Sequence, residues 1–440
     1  MTYAQVSNLE ENQEAVRIIQ RLKTLEPEAT CEDDFVLWDR AKDFLVFDRF
    51  GNQWIDFTSG IFVANTGHSH PRVKTAIQAR LDRGHLFNYL YATEDKLRFI
   101  ELLLELTPQK FNQVVLYATG SETNECALKL SRIHGQKINP HKVGIIGFED
   151  AFHGKTLGSL MIGGKPKDKV WMPWHDPAIY HLPYPDYRRG IDETNGASFF
   201  KESIAALEAK GVKSESIAAV FMEPYQGWSA CFFPKSYVQA LASWAKRNQV
   251  LVIFDEVQSG FGRTGMWFAY EHFGVEADLV CCGKGISSSL PLSAVLGPRE
   301  ILNHAGVTST HTGNVLSVAA GIGNLEVLHD EKLVERSNRL GAILLERLEK
   351  LQRKYPERIK FISSRGLLAG IHFGNKESND LDVKTCSEIV RRCIASGLLL
   401  IKTNIGTIKI GPPLTIAQDA LEEGLDILEE AVDVVLARSK

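Results

Sequence analysis

At 440 residues the chain is too long for one ordinary hydrophobic core and fits a large domain with a smaller one attached. Its 44% hydrophobic and 24% charged residues are average for a globular protein in water, and a net charge of −4 gives no electrostatic reason to expect nucleic acid or an anionic membrane as partner. Seven cysteines without a CxxC pair, no apolar run near the ~20 residues a bilayer requires, and an N-terminus with neither signal nor transit character lead to the expectation of a cytoplasmic protein in a reducing compartment.

In chain order, Asp48–Phe57 reads as a hairpin turning at Phe50-Gly51-Asn52. His68 and His70 precede Pro71 without a cysteine or carboxylate cluster, so they read as structural and no metal is expected. Val114–Glu125 reads as a strand, a glycine turn and the start of a helix continuing through Leu130. The free N–H groups there, with Gly120 and the Ser121 hydroxyl, suit a phosphate; a Ser-capped helix with Glu in its first turn is the plainer alternative. Val143–Phe148 is the next strand, and Phe152 after it could stack on a flat aromatic ligand or simply belong to the core.

Ala218–Met222 closes on Glu223 and Gln226, where Pro224 rules out simple helical continuation. Val250–Asp255 ends on a carboxylate, and Gln258 three residues later can reach the same ligand if the chain turns; a polar loop with a glycine-rich exit competes with that reading. Leu279–Cys282 is followed by Lys284. Such near-continuous apolar strands alternating with helices predict a mostly parallel sheet covered on both faces, with ligands beyond the strands' carboxyl ends.

Beyond about residue 325 the pattern changes to amphipathic helices such as Glu331–Leu351, short strands around Gly366–Phe373 and Thr407–Ile410, and a final helix from about Ile416. The predicted domains are 1–65 and 326–440, together a small α+β domain built from both chain ends, and 66–325, the large α/β domain. A lysine amine condenses with an aldehyde and a buried carboxylate keeps a pyridine nitrogen protonated, so Lys284 with Asp255 suggests a pyridoxal 5'-phosphate site.

Taken in this order, with Asn65-Thr66-Gly67-His68-Ser69-His70-Pro71, Asp255-Glu256-Val257-Gln258-Ser259-Gly260-Phe261-Gly262-Arg263-Thr264-Gly265, Gly283-Lys284-Gly285 and Gly411-Pro412-Pro413-Leu414, the chain resembles the class III (ω-amino-acid type) aminotransferases of fold type I. The resemblance implies Lys284 as the Schiff-base lysine, Asp255 as partner of the pyridinium nitrogen and Phe152 as the stacking aromatic. It also implies Gly120 and Ser121 on the phosphate, Glu223 and Gln258 orienting the ring, and a homodimer in which Thr310 of a neighbouring subunit completes the phosphate site. The implied reaction is ping-pong transfer of an amino group from an amine or amino acid to a keto acid or aldehyde.

Four departures bear on substrate. Ile61 stands where the dialkylglycine decarboxylase branch carries a glutamine, and matches 4-aminobutyrate aminotransferases instead. Lys409 replaces the arginine that grips an α-carboxylate, losing its planar two-point hold. Trp228 replaces a glutamate gate, and Lys155 replaces the arginine that 4-aminobutyrate enzymes use for the distal carboxylate. These losses keep open an amino acid racemase or epimerase of the same fold, while a degenerate pyridoxal-phosphate-fold binding protein is disfavoured by the presence together of Lys284, Asp255, Phe152 and Gln258.

Overall fold

The computed structural model describes residues 2–7, 13–27, 36–304, 306–375 and 381–437. The chain divides into two compact units, one made of Met1–His70 with Arg339–Lys440 and the other of Pro71–Asn338.

In the N-terminal part of the first unit, helix α1 (Gln13–Leu25) precedes an antiparallel meander of β1 (Arg40–Lys42), β2 (Leu45–Phe47) and β3 (Gln53–Asp56). The β2–β3 turn forms because the Asp48 carboxylate accepts from the N–H groups of Phe50 and Asn52 at 2.8 and 2.9 Å, while Gly51 adopts φ +94°. Ser59, Gly60, Ile61 and Phe62 then form one left-handed turn, with φ between 47 and 64°. That conformation is unfavourable for a β-branched residue such as Ile61. Bonds from Phe62 N–H to Thr58 O (2.8 Å) and from the Ser59 hydroxyl to Gly411 O (2.7 Å) hold it in place.

The central unit begins with α2 (Pro71–Asp82) and α3 (Glu94–Glu105) and is built around a seven-stranded sheet. Its strands are β4 (Gln113–Tyr117), β5 (Gly144–Phe148), β6 (Ile179–Leu182), β7 (Ile217–Met222), β8 (Leu251–Asp255), β9 (Leu279–Cys282) and β10 (Ser293–Gly297), in the order β4-β10-β9-β8-β7-β5-β6. All the adjacent pairs from β9 to β6 are parallel, and β10 alone runs against both its neighbours. Strands β5, β7, β8, β9 and β10 are buried along their whole lengths, which explains why their sequences are mostly apolar. Covering helices include α4 (Gly120–Ile138), α5 (Leu157–Ile162), α6 (Gly196–Ala209), α7 (Lys235–Arg247), α8 (Arg299–Leu302) and α9 (Val315–Asp330). Leu130 and Ala127 of α4 pack with Ile145, Phe221, Ile253 and Cys281 in the core of this unit.

Helix α10 (Leu333–Lys354) leads back into the first unit. There β11 (Ile359–Arg365), β12 (Leu368–Phe373), β14 (Ile401–Thr403) and β15 (Thr407–Ile410) make an antiparallel sheet in the order β11-β12-β15-β14. The two-residue β13 (Leu398–Leu399) adds in parallel to β3, joining the two chain ends, and α11 (Val383–Ala395) and α12 (Gln418–Ala437) complete this α+β unit. The six cysteines among the described residues are unpaired, and His68 is satisfied by Asp56 at 2.7 Å. Among the described residues no cluster suits a metal ion, and no helix is long and apolar enough to cross a membrane.

Candidate active site

Five parallel-direction strand ends deliver polar residues to one edge of the central sheet. Lys284 follows β9 through Gly283 and opens a single 3-10 turn, Lys284–Ile286, with its own φ at 42°. A left-handed lysine costs about 1–3 kcal/mol. Asn324 on α9 sustains it, donating from Nδ2 to Gly285 O at 2.8 Å and Ile286 O at 3.0 Å. Burial lowers the Lys284 pKa from the usual lysine range, opposed by the negative charges of Asp255 and Glu223. A larger share of neutral, nucleophilic amine follows.

Asp255, at the end of β8, is 4% exposed. Its Oδ2 accepts from Asn124 Nδ2 and from His153 Nδ1, both at 2.8 Å, and its Oδ1 accepts from Val257 N–H at 3.1 Å. Those three donors leave the carboxylate able to accept about one more hydrogen bond. Burial pushes the His153 imidazole down, but its hydrogen bond to Asp255 and that residue's charge outweigh burial and raise its pKa. His153 and Asn124 carry no signal of this role in the sequence: each is an ordinary polar residue on a separate element, and only folding brings them to β8.

At the start of α4 the cap is Thr119, not Ser121. Thr119 and Glu122 form a reciprocal capping box, with Glu122 N–H donating to Thr119 Oγ1 and Thr119 N–H donating to Glu122 Oε2 at 2.9 Å. The first intrahelical bond is from Thr123 N–H to Thr119 O, so the N–H groups of Gly120 and Ser121 precede the ladder. Glycines allow the close approach of neighbouring segments. A Cβ on Gly120 would lie 2.9 Å from the Val257 methyls, and one on Gly154, where φ is +136°, would collide with the Ser121 hydroxyl. Val257 also lies within van der Waals reach of Gly283, so the α4 start, the Asp255 loop and the Lys284 turn meet.

Glu223 closes β7 and spans two loops: one oxygen accepts from Phe152 N–H and the other from Gly227 N–H, each at 2.9 Å. Burial raises its pKa, partly offset by His153 and the two backbone donors. A Cβ on Gly227 would be 2.8 Å from Gln258 Oε1, so Gln258 and Glu223 converge there. The Phe152 ring is 39% exposed and therefore not core. Trp228 sits at the tip of a short ribbon, Tyr225–Gln226 paired with Cys231–Phe232. The Lys165 ammonium lies 2.8 Å from the centroid of the Trp228 ring and 5.9 Å from that of Phe152. Burial lowers the Lys165 pKa to about 8 against the pull of Asp168, Glu223 and Asp150. Nothing in the sequence marks Lys165, one of three lysines in the run Lys165-Pro166-Lys167-Asp168-Lys169.

Lys155 and Thr310 are both exposed in the central unit. In the other unit, Ile61 is 49% exposed on the left-handed turn, and Lys409, 5% exposed on β15, places its ammonium 4.8 Å from the Phe62 ring centroid.

The chain matches the family Aminotransferase class-III over residues 29–432. The 4-aminobutyrate aminotransferase GabT of Escherichia coli strain K12 is 32% identical over 430 residues, spanning 94% of this chain and 98% of that protein. A leucine/methionine racemase of Thermococcus litoralis is 30% identical over 402 residues, spanning 89% of each. Among solved structures, an aminotransferase of Bacillus anthracis aligns with a TM-score of 0.85 at 25% identity, over 98% of this chain and 100% of that one. A match of this extent, on the same mixed α/β architecture, makes the chain a member of the class III aminotransferase family with the fold type I of pyridoxal-phosphate-dependent transaminases.

Proposed function

We propose that the protein transfers an amino group from an amine or amino acid to a keto acid or aldehyde, with pyridoxal 5'-phosphate held at the strand ends of the central unit. The observation that carries the reading is the juxtaposition of a pKa-lowered Lys284 with the thrice-bonded carboxylate of Asp255. The residues present suit the cofactor. Two N–H groups and a hydroxyl at a helix N-terminus match a phosphate, an exposed phenyl ring matches a pyridine face, and a buried carboxylate with accepting capacity to spare matches a ring N–H.

When bound, the cofactor supplies an aldehyde that exchanges amino groups and a ring that draws electrons from the adjoining carbon. Lys284 would hold the cofactor, and its amine would serve as the base that moves a proton at the substrate carbon. Asp255, positioned by Asn124, His153 and Val257, would face the protonated ring nitrogen. Gly120 and Ser121 bind the phosphate, Phe152 stacks on the ring, and Glu223 and Gln258 fix the loops beside it. Thr310 serves the phosphate of a neighbouring subunit in a homodimer. Ile61, Lys155, Trp228 and Lys409 contact substrate; lysines in place of arginines favour donors other than the pairing of 4-aminobutyrate with 2-oxoglutarate.

The match to a leucine/methionine racemase supports a second reading, racemisation or epimerisation of an amino acid by the same lysine. One experiment separates the two: single donors are mixed with holoenzyme without any keto acceptor. Loss of the yellow lysine-linked cofactor with stoichiometric carbonyl product establishes transamination and names the donor class. Persistent yellow colour with loss of optical activity establishes racemisation, and full activity of Lys284→Ala would refute both.

A further inference from the structure

Away from these residues, α4 carries a second polar cluster. His134 Nδ1 lies 3.0 Å from His304 Nε2, the rings stack at 5.3 Å with 23° between their planes, and Lys137 Nζ lies 2.6 Å from His304 Nδ1. An ammonium only donates, so His304 Nδ1 accepts; His304 therefore carries its proton on Nε2 and donates it to His134 Nδ1. The chain of bonds from Lys137 through His304 to His134 is consistent only with both imidazoles neutral. Protonating His304 sets an N–H against the Lys137 ammonium, and protonating His134 sets one against His304 Nε2–H.

His304 follows α8, and the chain runs on through Thr310 to Asn314, the cap of α9. A second tie, Lys129 Nζ to Gly306 O at 2.9 Å, joins the same stretch to α4. We propose that Lys137, His304 and His134 form a proton-sensitive latch that fastens the segment bearing Thr310 to α4 at neutral pH and loosens it in mild acid.

The charged groups around the latch agree with that direction. Burial lowers the pKa of His134, with Lys137 and Lys142 adding to it and Asp278 and Glu300 opposing it. Burial also lowers the pKa of His304, assisted by Lys137 and His134 and opposed by Glu300. Groups with depressed values give a latch that is complete above the ordinary histidine pKa of about 6.5 and is lost as pH falls through the lowered values. The consequence for the cofactor rests on the assignment of Thr310 above: a loosened segment holds the neighbouring subunit's phosphate less firmly.

The test is hydrogen exchange of the holoenzyme between pH 5 and 8, normalised for intrinsic rates and read on peptides covering residues 306–314. The expected result is protection that falls below pH 6.5 by up to about tenfold per pH unit for each proton taken up. The double variant His134→Gln/His304→Gln keeps an acceptor for Lys137 and a donor between the two positions without a titrating group, so its protection should be flat. Flat wild-type protection overturns the latch, as does an equally pH-dependent double variant. Should that variant fail to fold, NMR titration of the wild-type imidazoles serves, and midpoints at or above 6.5 for both histidines overturn the proposal. Cofactor release in the same buffers separates the two readings, since a loosened segment with undiminished cofactor retention refutes the role of Thr310 and leaves the latch standing.

Discussion

Replacing Asp255 with Asn removes one charge and keeps the shape, so it isolates what the carboxylate does for the ring nitrogen. The cluster can re-pair around the amide. The amide oxygen can stay on Asn124 Nδ2 and His153 Nδ1, so the 3.1 Å bond from Val257 N–H is the one given up. Folding should therefore survive. The loss falls on the proton held by the ring: a unit charge pair about 4 Å apart at an effective dielectric constant of about 20 is worth about 4 kcal/mol. At about 1.36 kcal/mol per decade, that corresponds to nearly a thousandfold in rate. The assay is the half-reaction of reconstituted Asp255→Asn with its best donor, alongside circular dichroism and cofactor content. A folded, cofactor-loaded variant within tenfold of wild type would refute the reasoning.

Glu256, fully buried beside Asp255, has its pKa pushed by burial up to about 7, against bonds from Ser259 and from Tyr270 N–H. A raised carboxyl stabilises the fold below its unfolded value and loses that contribution as pH rises through about 7. Glu256→Gln should consequently raise the thermal midpoint more at pH 8 than at pH 5, by up to about 3 kcal/mol of stability, and equal gains at both pH values would count against it. Lys165 should titrate near pH 8, changing Trp228 fluorescence with that midpoint; Lys165→Met should abolish the transition. Thr119→Ala removes the cap of α4 at about 1 kcal/mol and should weaken cofactor affinity severalfold, measured by equilibrium dialysis. Gly154→Ala places a methyl against Ser121 at a backbone angle suited to glycine, and should lower cofactor affinity more than Thr119→Ala does.

The sequence is most readable where apolar runs stop abruptly on a polar residue. Strands β5, β7, β8 and β9 are recognisable because burial on both faces leaves no alternation to blur them, half-buried β4 by its short apolar run Val114–Leu116, and Glu223, Asp255 and Lys284 stand out at strand ends. Strands β6 and β10 escape notice for different reasons. Ile179–Leu182 at the sheet edge is interrupted by Tyr and His, and Ser293–Gly297 begins and ends in small residues while running against its neighbours. The partners of Asp255 are illegible for another reason: Asn124 and His153 reach it across sequence separations of 131 and 102 residues, and local pattern carries no information about such contacts. Likewise the Ser59–Phe62 turn contains a single glycine, so neither Ile61 nor Phe62 advertises a left-handed backbone. The hydroxyl of Ser121 is spared from capping only because Thr119 precedes it, a detail of one turn that composition cannot decide.

Glu223 has a consequence for how this protein can diversify. By tying Phe152 N–H to Gly227 N–H it fixes two loops through backbone atoms, and backbone atoms are indifferent to the side chains the loops display. Exposed Lys155 lies three residues beyond the first tie and can be exchanged within about 0.5 kcal/mol, as is typical of a surface site, while half-buried Trp228 lies next to the second, where exchange also gives up the contact of its ring with the Lys165 ammonium. Mutational libraries restricted to those two loop positions should thus sample new donors on an unchanged scaffold, whereas libraries that touch Glu223 itself should collapse into unfolded or cofactor-free variants.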